Sequence, residues 1–235
     1  MCSKEILFSI LALLFSYHIS KSQRIVNANL PYYDERLLHY GFFMAGNYAT
    51  FNIKRSQFFV DDTTMLAVNP RGTPGFTLGF VVNLRLEQFF DLRLLPAAGF
   101  YLREVTYKFE NNDPTKDSIQ VESIESTYIE LPLLLKYKST RRANTRMYLI
   151  GGIKPAIEVG TRKAKIGEDR LLTRNIDVAL DYGFGIDLYF PMFKFSPEIR
   201  FSYGIINLLK PSDNILSNSI DKLRTNTFTI LFIFE

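Results

Sequence analysis

Apolar residues recur at every second position along eight stretches of the chain. This period is that of a β-strand with one apolar and one polar face. The clearest stretch is 176–190, where apolar residues alternate with small or acidic ones. The eight predicted strands are about 39–51, 75–86, 90–108, 122–138, 146–160, 176–190, 195–205 and 225–235.

The connections between these strands alternate between long and short. The short ones are 87–89, 139–145 and 191–194, and the long ones are 52–73, 110–121, 161–173 and 207–223. Short turns on one rim and long loops on the other are typical of outer-membrane barrels. In the last stretch, Phe228, Ile230, Phe232 and Phe234 share one face, as expected of a strand that closes a barrel against the first one.

Alternation alone leaves open which row of side chains points inward. A soluble barrel of the lipocalin type would bury the apolar row, whereas a membrane barrel turns that row to lipid. The polar row is rich in glycine and alanine, which suits the narrow lumen of eight strands. Aromatic residues also gather near predicted strand ends, as in interfacial girdles: Tyr40, Phe89, Phe90, Tyr137, Tyr148, Phe190 and Phe195. We therefore predict an all-β fold, an eight-stranded antiparallel transmembrane β-barrel of the outer-membrane type.

The first 22 residues read as a secretory signal peptide. Lys4 precedes an apolar run from Ile6 to Ile19, and small residues follow at 20–22. The alternative is a short anchor helix, for which this apolar run is too short to cross a bilayer. We predict a signal peptide at 1–22, a periplasmic extension at 23–38 and the barrel at 39–235.

Composition limits the chemistry. Cys2 lies within the predicted signal peptide, so the mature chain is expected to have neither disulfides nor thiol chemistry. The formal charge of the whole chain is +4, and no basic stripe with interleaved aromatics indicates nucleic-acid binding. His39 is the one histidine beyond residue 22, and we expect it to be solvated at a rim. We therefore predict no enzyme activity, cofactor, metal or small-molecule substrate.

Charged residues lie in the predicted inward rows. Asp177 and Asp181 are about 13 Å apart along one strand, which is too far for a glycosidase pair. We expect a lumen filled by salt-bridged side chains, because unpaired charges in so narrow a space would be costly. The predicted polar network of the lumen is Arg85, Lys154, Glu158, Asp177, Asp181, Asp187, Glu198 and Arg200.

The short turn at 139–145 is basic. Arg141, Arg142 and Arg146 are candidates to contact an acidic partner or anionic lipid on the periplasmic side. The alternative is that these arginines simply face water, since basic residues are common at membrane rims.

Several segments together resemble one bacterial family. They are His39–Met44, Val82–Leu86 with Phe90–Arg93, Glu125–Lys138, and the turn through Asn144 and Arg146 into Tyr148–Gly152. This combination resembles the PorT family of Bacteroidetes outer-membrane proteins. The resemblance implies a part in the type IX secretion system, which exports proteins that carry a C-terminal signal. The implied partners are outer-membrane lipid and other secretion-system proteins, and the resemblance implies no catalytic residues.

Three functions remain open from the sequence. The first is a component of that secretion machine that acts through protein contacts. The second is an independent small barrel with a structural or adhesive role through its outer loops. The third is a lipid-modifying enzyme, which would need catalytic polar residues at the outer rim.

Overall fold

In the computed structural model, the described residues are 28–56, 65–109, 118–159, 171, 173–210 and 218–235. They form a 3₁₀ turn at Tyr33–Glu35 and β-strands that belong to one sheet. The strands are β1 Leu38–Arg55, β2 Met65–Arg71, β3 Thr73–Arg85, β4 Phe90–Leu94, β5 Ala97–Phe109, β6 Ser118–Glu130, β7 Leu133–Lys138, β8 Thr145–Val159, β9 Ile176–Tyr189, β10 Lys194–Gly204 and β11 Ile220–Phe234.

Six of these strands are halves of three longer ones. Gly72 separates β2 from β3, Leu95–Pro96 separates β4 from β5, and Leu131–Pro132 separates β6 from β7. At the second and third breaks, the regular pairing stops because proline has no N–H to donate to the neighbouring strand. The Leu95 N–H still donates to the Pro132 carbonyl at 3.1 Å, which joins the two breaks. The described residues therefore form eight barrel strands.

The sheet closes on itself. β11 pairs with β1 in antiparallel register, with Phe42 opposite Phe234 and Phe51 opposite Thr225. The remaining neighbours around the ring are also antiparallel. Closure satisfies the first and last strands, which would otherwise expose unpaired backbone groups. The predicted all-β barrel fold is confirmed.

The predicted long connections are shorter than expected, because strands continue into them. The stretch 52–73 contains the end of β1 and all of β2, while β6 begins at Ser118 and β11 at Ile220. Ile119, Gln120 and Val121, which precede the predicted start of this strand at 122, are all exposed, so this part of β6 has no buried face. The predicted signal peptide, and residues 23–27 of the predicted extension, lie outside the described residues.

The apolar row faces outward and the polar row faces the lumen. Phe80 is 68% exposed and Leu149 is 58% exposed, whereas Arg93 and Asp187 are fully buried. No helix among the described residues has the length and apolar character to cross a bilayer.

Tyr148 departs from the predicted aromatic girdle. It lies in the inward row of β8, between the outward-facing Met147 and Leu149, and is buried. A tyrosine fits there because its ring packs while its hydroxyl donates to a partner, here Glu198.

Candidate functional site: the filled lumen and the short-turn rim

The end of the lumen near the short turns holds a dense group of buried charges. We call it the rim charge cluster. β4, β7, β8, β9 and β10, together with the residue after β11, supply its members from their inward rows. These are Asp91, Arg93, Lys136, Lys138, Arg146, Asp187, Lys194, Glu198 and Glu235.

Asp187 lies at the centre of one half of the cluster. Its two carboxylate oxygens accept hydrogen bonds from Lys136 Nζ at 2.9 and 2.8 Å. Arg146 Nε donates to Oδ2 at 3.3 Å, and the Ser196 hydroxyl donates to Oδ1 at 2.7 Å. One buried anion thus neutralises cations from two neighbouring strands.

Glu198 organises the other half. It accepts hydrogen bonds from Arg93 Nη1 at 3.0 Å, from the Tyr148 hydroxyl at 2.9 Å and from Arg200 Nε at 3.0 Å. Arg93 also donates to the Asn83 side-chain carbonyl at 3.3 Å. Hydrogen-bonded partners of this kind are what make a buried charge tolerable.

Glu235 and Asp91 complete the cluster. Glu235 is ion-paired with Lys194, and its Oε2 lies 3.7 Å from Arg93 Nη2. Burial by itself would raise the pKa of Glu235, but the cations of Lys194 and Arg93 outweigh it and lower this pKa from 4.5 to about 2. Asp91 is ion-paired with Lys138.

The middle of the lumen is filled by longer-range pairs. Lys154 Nζ lies 3.4 Å from Glu130, which also accepts a hydrogen bond from the Tyr101 hydroxyl at 2.7 Å. Arg200 Nη1 lies 3.8 Å from Asp181. The cavity lined by these groups measures about 10 Å³, which is room for about one water molecule. This part of the barrel is a plug rather than a pore.

Apolar side chains also fill much of the lumen, beyond the salt-bridged filling expected from the sequence. One cluster packs between the polar groups in the half of the lumen nearer the short turns: Phe43, Ala45, Val81, Leu95, Ala97, Leu134, Tyr148, Ile150, Leu231 and Ile233. A second cluster packs at the end nearest the long connections: Phe51, Val68, Val105, Tyr107, Leu171, Leu208, Leu209, Ile220 and Leu223. Leu208 is held there by backbone hydrogen bonds to Arg174 and Leu223, both 2.8 Å.

Residues 28–37, which we call the latch, lie across the short-turn rim. The Asp34 carboxylate is 2.9 Å from Arg146 Nη1, and the Tyr33 ring stacks on His39 with centroids 4.1 Å apart. The Tyr33 carbonyl is 2.7 Å from His39 Nε2. His39 is therefore at the rim as predicted, but it is buried under the latch instead of solvated.

Six of the eight predicted network residues are buried in the lumen: Lys154, Asp177, Asp181, Asp187, Glu198 and Arg200. Arg85 instead lies half-buried at the rim, where it donates to the Asp34 carbonyl. Glu158 is half-buried at the opposite end of β8. Both lie near the ends of their strands, where the inward row meets water.

Several members of the network were not singled out from the sequence: Asp91, Arg93, Glu130, Lys136, Lys138, Lys194 and Glu235. The available signal was their position in the same inward rows as the small residues. Gly185 is one of these small residues, and it lies opposite the buried Tyr148 on β8, so both belong to one layer of the lumen.

The three arginines of the basic turn differ in their surroundings. Arg142 is exposed. Arg146 is buried against Asp34 and Asp187. Arg141 lies over the Tyr189 ring at 3.8 Å and contacts the latch. Two of the three therefore bind within the chain itself.

Within the described ranges, no group of three or more His, Cys, Asp or Glu residues is placed to hold a metal ion. The carboxylates of the lumen are engaged mainly with cations and hydroxyls of the barrel itself. The arrangement holds strands together and closes the interior.

A family model described as an outer membrane protein beta-barrel domain matches residues 20–210. Among solved structures, the chain is similar to OprG of Pseudomonas aeruginosa, at 12% identity over 83% of this chain and 93% of that one, with a TM-score of 0.40. It is also similar to Neisserial surface protein A, at 12% identity over 83% and 97% of the two chains, with a TM-score of 0.38. These likenesses are too distant to carry a functional argument, and the comparison with curated proteins found no match. Because the family model covers most of a chain that forms a closed barrel with an apolar exterior, the chain belongs to the outer membrane protein beta-barrel domain family and is an outer-membrane protein.

Proposed function

We propose that this barrel is a non-enzymatic, PorT-like component of the type IX secretion system. It would serve the export of proteins with C-terminal signals, or the assembly of the machinery that exports them. The support is the combination of segments that resembles the PorT family, above all Glu125–Lys138 with the turn through Asn144 and Arg146. In the fold, these two segments are consecutive, since β6 and β7 lead directly into that turn.

The observation that carries the proposal is the filled lumen. Charges such as Arg93 and Glu198 neutralise each other in the interior, and the cavity between Lys154 and Arg200 has room for about one water molecule. A barrel of this kind offers no passage for a folded or unfolded cargo. Its contribution to export would come from its rims and its lipid-facing wall, through contacts with other proteins.

The test is deletion of the gene in its own species. Signal-bearing cargo should then accumulate in the periplasm, and the wild-type gene supplied on a plasmid should restore export. Unchanged export in the deletion strain would end the proposal. Crosslinking of the membrane-embedded protein followed by pull-down would identify the partner directly.

Planar-bilayer recordings test the filled lumen separately. The purified barrel should give no large conductance steps. Regular large steps would mean that the interior opens, and the protein would then have to be reconsidered as a channel.

A second candidate is a stand-alone barrel with a structural or adhesive role. It is favoured by the apolar cluster around Phe51 and Leu208, which gives the ends of the long connections a common base. Replacing residues 57–64 by a Gly-Ser linker should then abolish surface adhesion while export stays intact. The opposite result, normal adhesion with the linker in place, would remove this candidate.

A further inference from the structure

The short-turn rim holds the latch chiefly through the latch backbone. Arg141 Nη1 donates to the Leu30 carbonyl at 3.4 Å, and Arg141 also donates to the Asn29 carbonyl. The Asn144 side-chain oxygen accepts the Asn29 N–H at 2.8 Å, and the Tyr189 carbonyl accepts the Asn29 side-chain amide at 2.9 Å. Contacts to backbone groups depend on the shape of a bound chain more than on its side chains.

One charged contact adds chemical selectivity. Arg146 Nη1 lies 2.9 Å from the Asp34 carboxylate, and the Tyr189 hydroxyl lies 3.4 Å from the same oxygen. A chain that fills this surface as the latch does therefore needs an amide-bearing residue, a turn like that of residues 30–35, and a carboxylate five residues after the amide.

The groups on the barrel side are positioned without help from the latch. Arg146 is also held by Asp187, at 3.3 Å, from inside the lumen. Arg141 donates to the Ala143 carbonyl at 2.8 Å and to the Asn144 side chain at 2.9 Å, and its guanidinium lies over the Tyr189 ring. When a site is already organised while empty, little free energy is needed to order its side chains as a chain binds.

The latch is only partly covered by the barrel. Its 3₁₀ turn buries none of its residues, and most of the latch is exposed. Leu30 adopts a left-handed backbone with φ of 49°, a conformation that is strained for a leucine. Ala143, on the turn beneath it, is also left-handed, with φ of 53°. The Leu30 strain could be relieved if the latch left the rim, whereas the Ala143 conformation belongs to the hairpin turn closed by Arg142 and Thr145.

We propose that Arg141, Asn144, Arg146 and Tyr189 form a peptide-binding site on the short-turn rim. The latch fills this site intramolecularly, and a segment of a partner protein that adopts the same turn and carries a carboxylate for Arg146 displaces it. Because the short turns of outer-membrane barrels face the periplasm, the partner is a periplasmic protein or a periplasmic segment of a membrane protein.

The experiment uses the full-length purified protein in detergent micelles and a fluorescent synthetic peptide with the sequence of residues 28–37. Binding is followed by anisotropy for the wild type, for Asp34→Asn and for the matched control Glu35→Gln, which removes a neighbouring exposed charge. Asp34→Asn weakens the intramolecular competitor, so it should bind the peptide about tenfold more tightly than the wild type. Glu35→Gln should match the wild type.

A second peptide, with Asn in place of Asp34, should bind the Asp34→Asn protein about tenfold more weakly than the first peptide does. Equal binding of both peptides, equal binding by wild type and Asp34→Asn, or no binding by any variant would overturn the proposal. Asn29→Ala keeps the Asp34–Arg146 pair and should also tighten peptide binding, which covers the case in which Asp34→Asn fails to fold. Heat-modifiable migration on gels reports folding of each variant.

The site does not depend on the proposed secretion role. Failure of the peptide to bind would leave the export phenotype of a deletion strain unaffected. Normal export in that strain would in turn leave the binding measurement standing.

Discussion

At the scale of single residues, the lumen shows how ion pairs persist in an interior with little water. Taking a charge out of water is expensive, and an excellent set of hydrogen bonds is needed to offset that cost. Asp187 has such a set from Lys136, Arg146 and Ser196. Asp181 does not: Arg200 Nη1 is 3.8 Å away, and its oxygens have no hydrogen-bond partner among the described residues.

This difference predicts unequal effects of two isosteric substitutions. Asp187→Asn should lower the free energy of unfolding by about 3 kcal/mol, because it leaves the cations around it uncompensated. Asp181→Asn, the matched control, should cost clearly less. Urea unfolding of the barrel in lipid vesicles measures both, and equal losses would contradict the role given to Asp187.

Glu235 gives a pH-dependent prediction. Its pKa falls from 4.5 to about 2 on folding, so it contributes stability that is complete above pH 4.5 and is lost as the pH falls towards 2. The difference corresponds to about 3 kcal/mol. The free energies of unfolding of the wild type and Glu235→Gln should therefore differ most above pH 5 and converge near pH 2. A gap that stays constant over this range would show that the Lys194 pair does not set this pKa.

At the scale of elements, small residues in one strand make room for large ones in the next. Gly185 of β9 lies opposite Tyr148 of β8, and a Cβ at Gly185 would collide with the Tyr148 ring. It would also come within 2.9 Å of the Pro197 carbonyl on the other side. The absence of a side chain at Gly185 thus lets the Tyr148 hydroxyl reach Glu198.

Gly185→Ala should therefore destabilise the barrel by about 1–3 kcal/mol, the usual cost of overpacking. Gly46→Ala is the matched control, since a Cβ at Gly46 of β1 meets no atom within 4 Å. Urea midpoints of the two variants decide the matter. A loss in Gly46→Ala as large as in Gly185→Ala would mean that strand glycine itself, and not the Tyr148 contact, is responsible.

Alternation of apolar and polar residues predicted some strands and missed others. Alternation predicted the parts of β8 and β9 that face lipid and lumen, because each residue there has one of two contrasting environments. It missed β2 and the first residues of β6, which precede the predicted start at 122. Asn69–Arg71 of β2 and Ile119–Val121 of β6 are all exposed, so these residues have no buried face. A strand in uniform surroundings is not required to alternate.

At the scale of the whole molecule, the barrel turns its apolar surface outward and seals its interior at both ends. The rim charge cluster and the latch close one end, and the apolar cluster around Phe51 and Leu223 closes the other. An apolar exterior of this extent is stable only in contact with lipid. The closed interior leaves the rims and the wall as the surfaces on which the protein acts.

A charge placed on the wall tests this orientation. Phe184→Arg, near the middle of β9, should destabilise the barrel in vesicles by about 2–4 kcal/mol, because the guanidinium would face hydrocarbon. Ile119→Arg, near the end of a strand, should cost less, because the penalty for a charge on the lipid face falls towards the membrane surface. Equal unfolding free energies for both variants would contradict the lipid-facing position of Phe184.

The sequence alone determined the number of barrel strands, their inward and outward rows and the rim that carries the short turns. These features are local: each follows from the period and residue types of the side chains along one strand or from the length of one connection. Only the tertiary structure decided which charges meet, such as Asp187 with Lys136, and that residues 28–37 fold over the rim onto Arg141 and Arg146. Such pairings depend on the stagger of strands around the closed ring, which brings together residues from distant parts of the chain and leaves no mark on the pattern of any single strand.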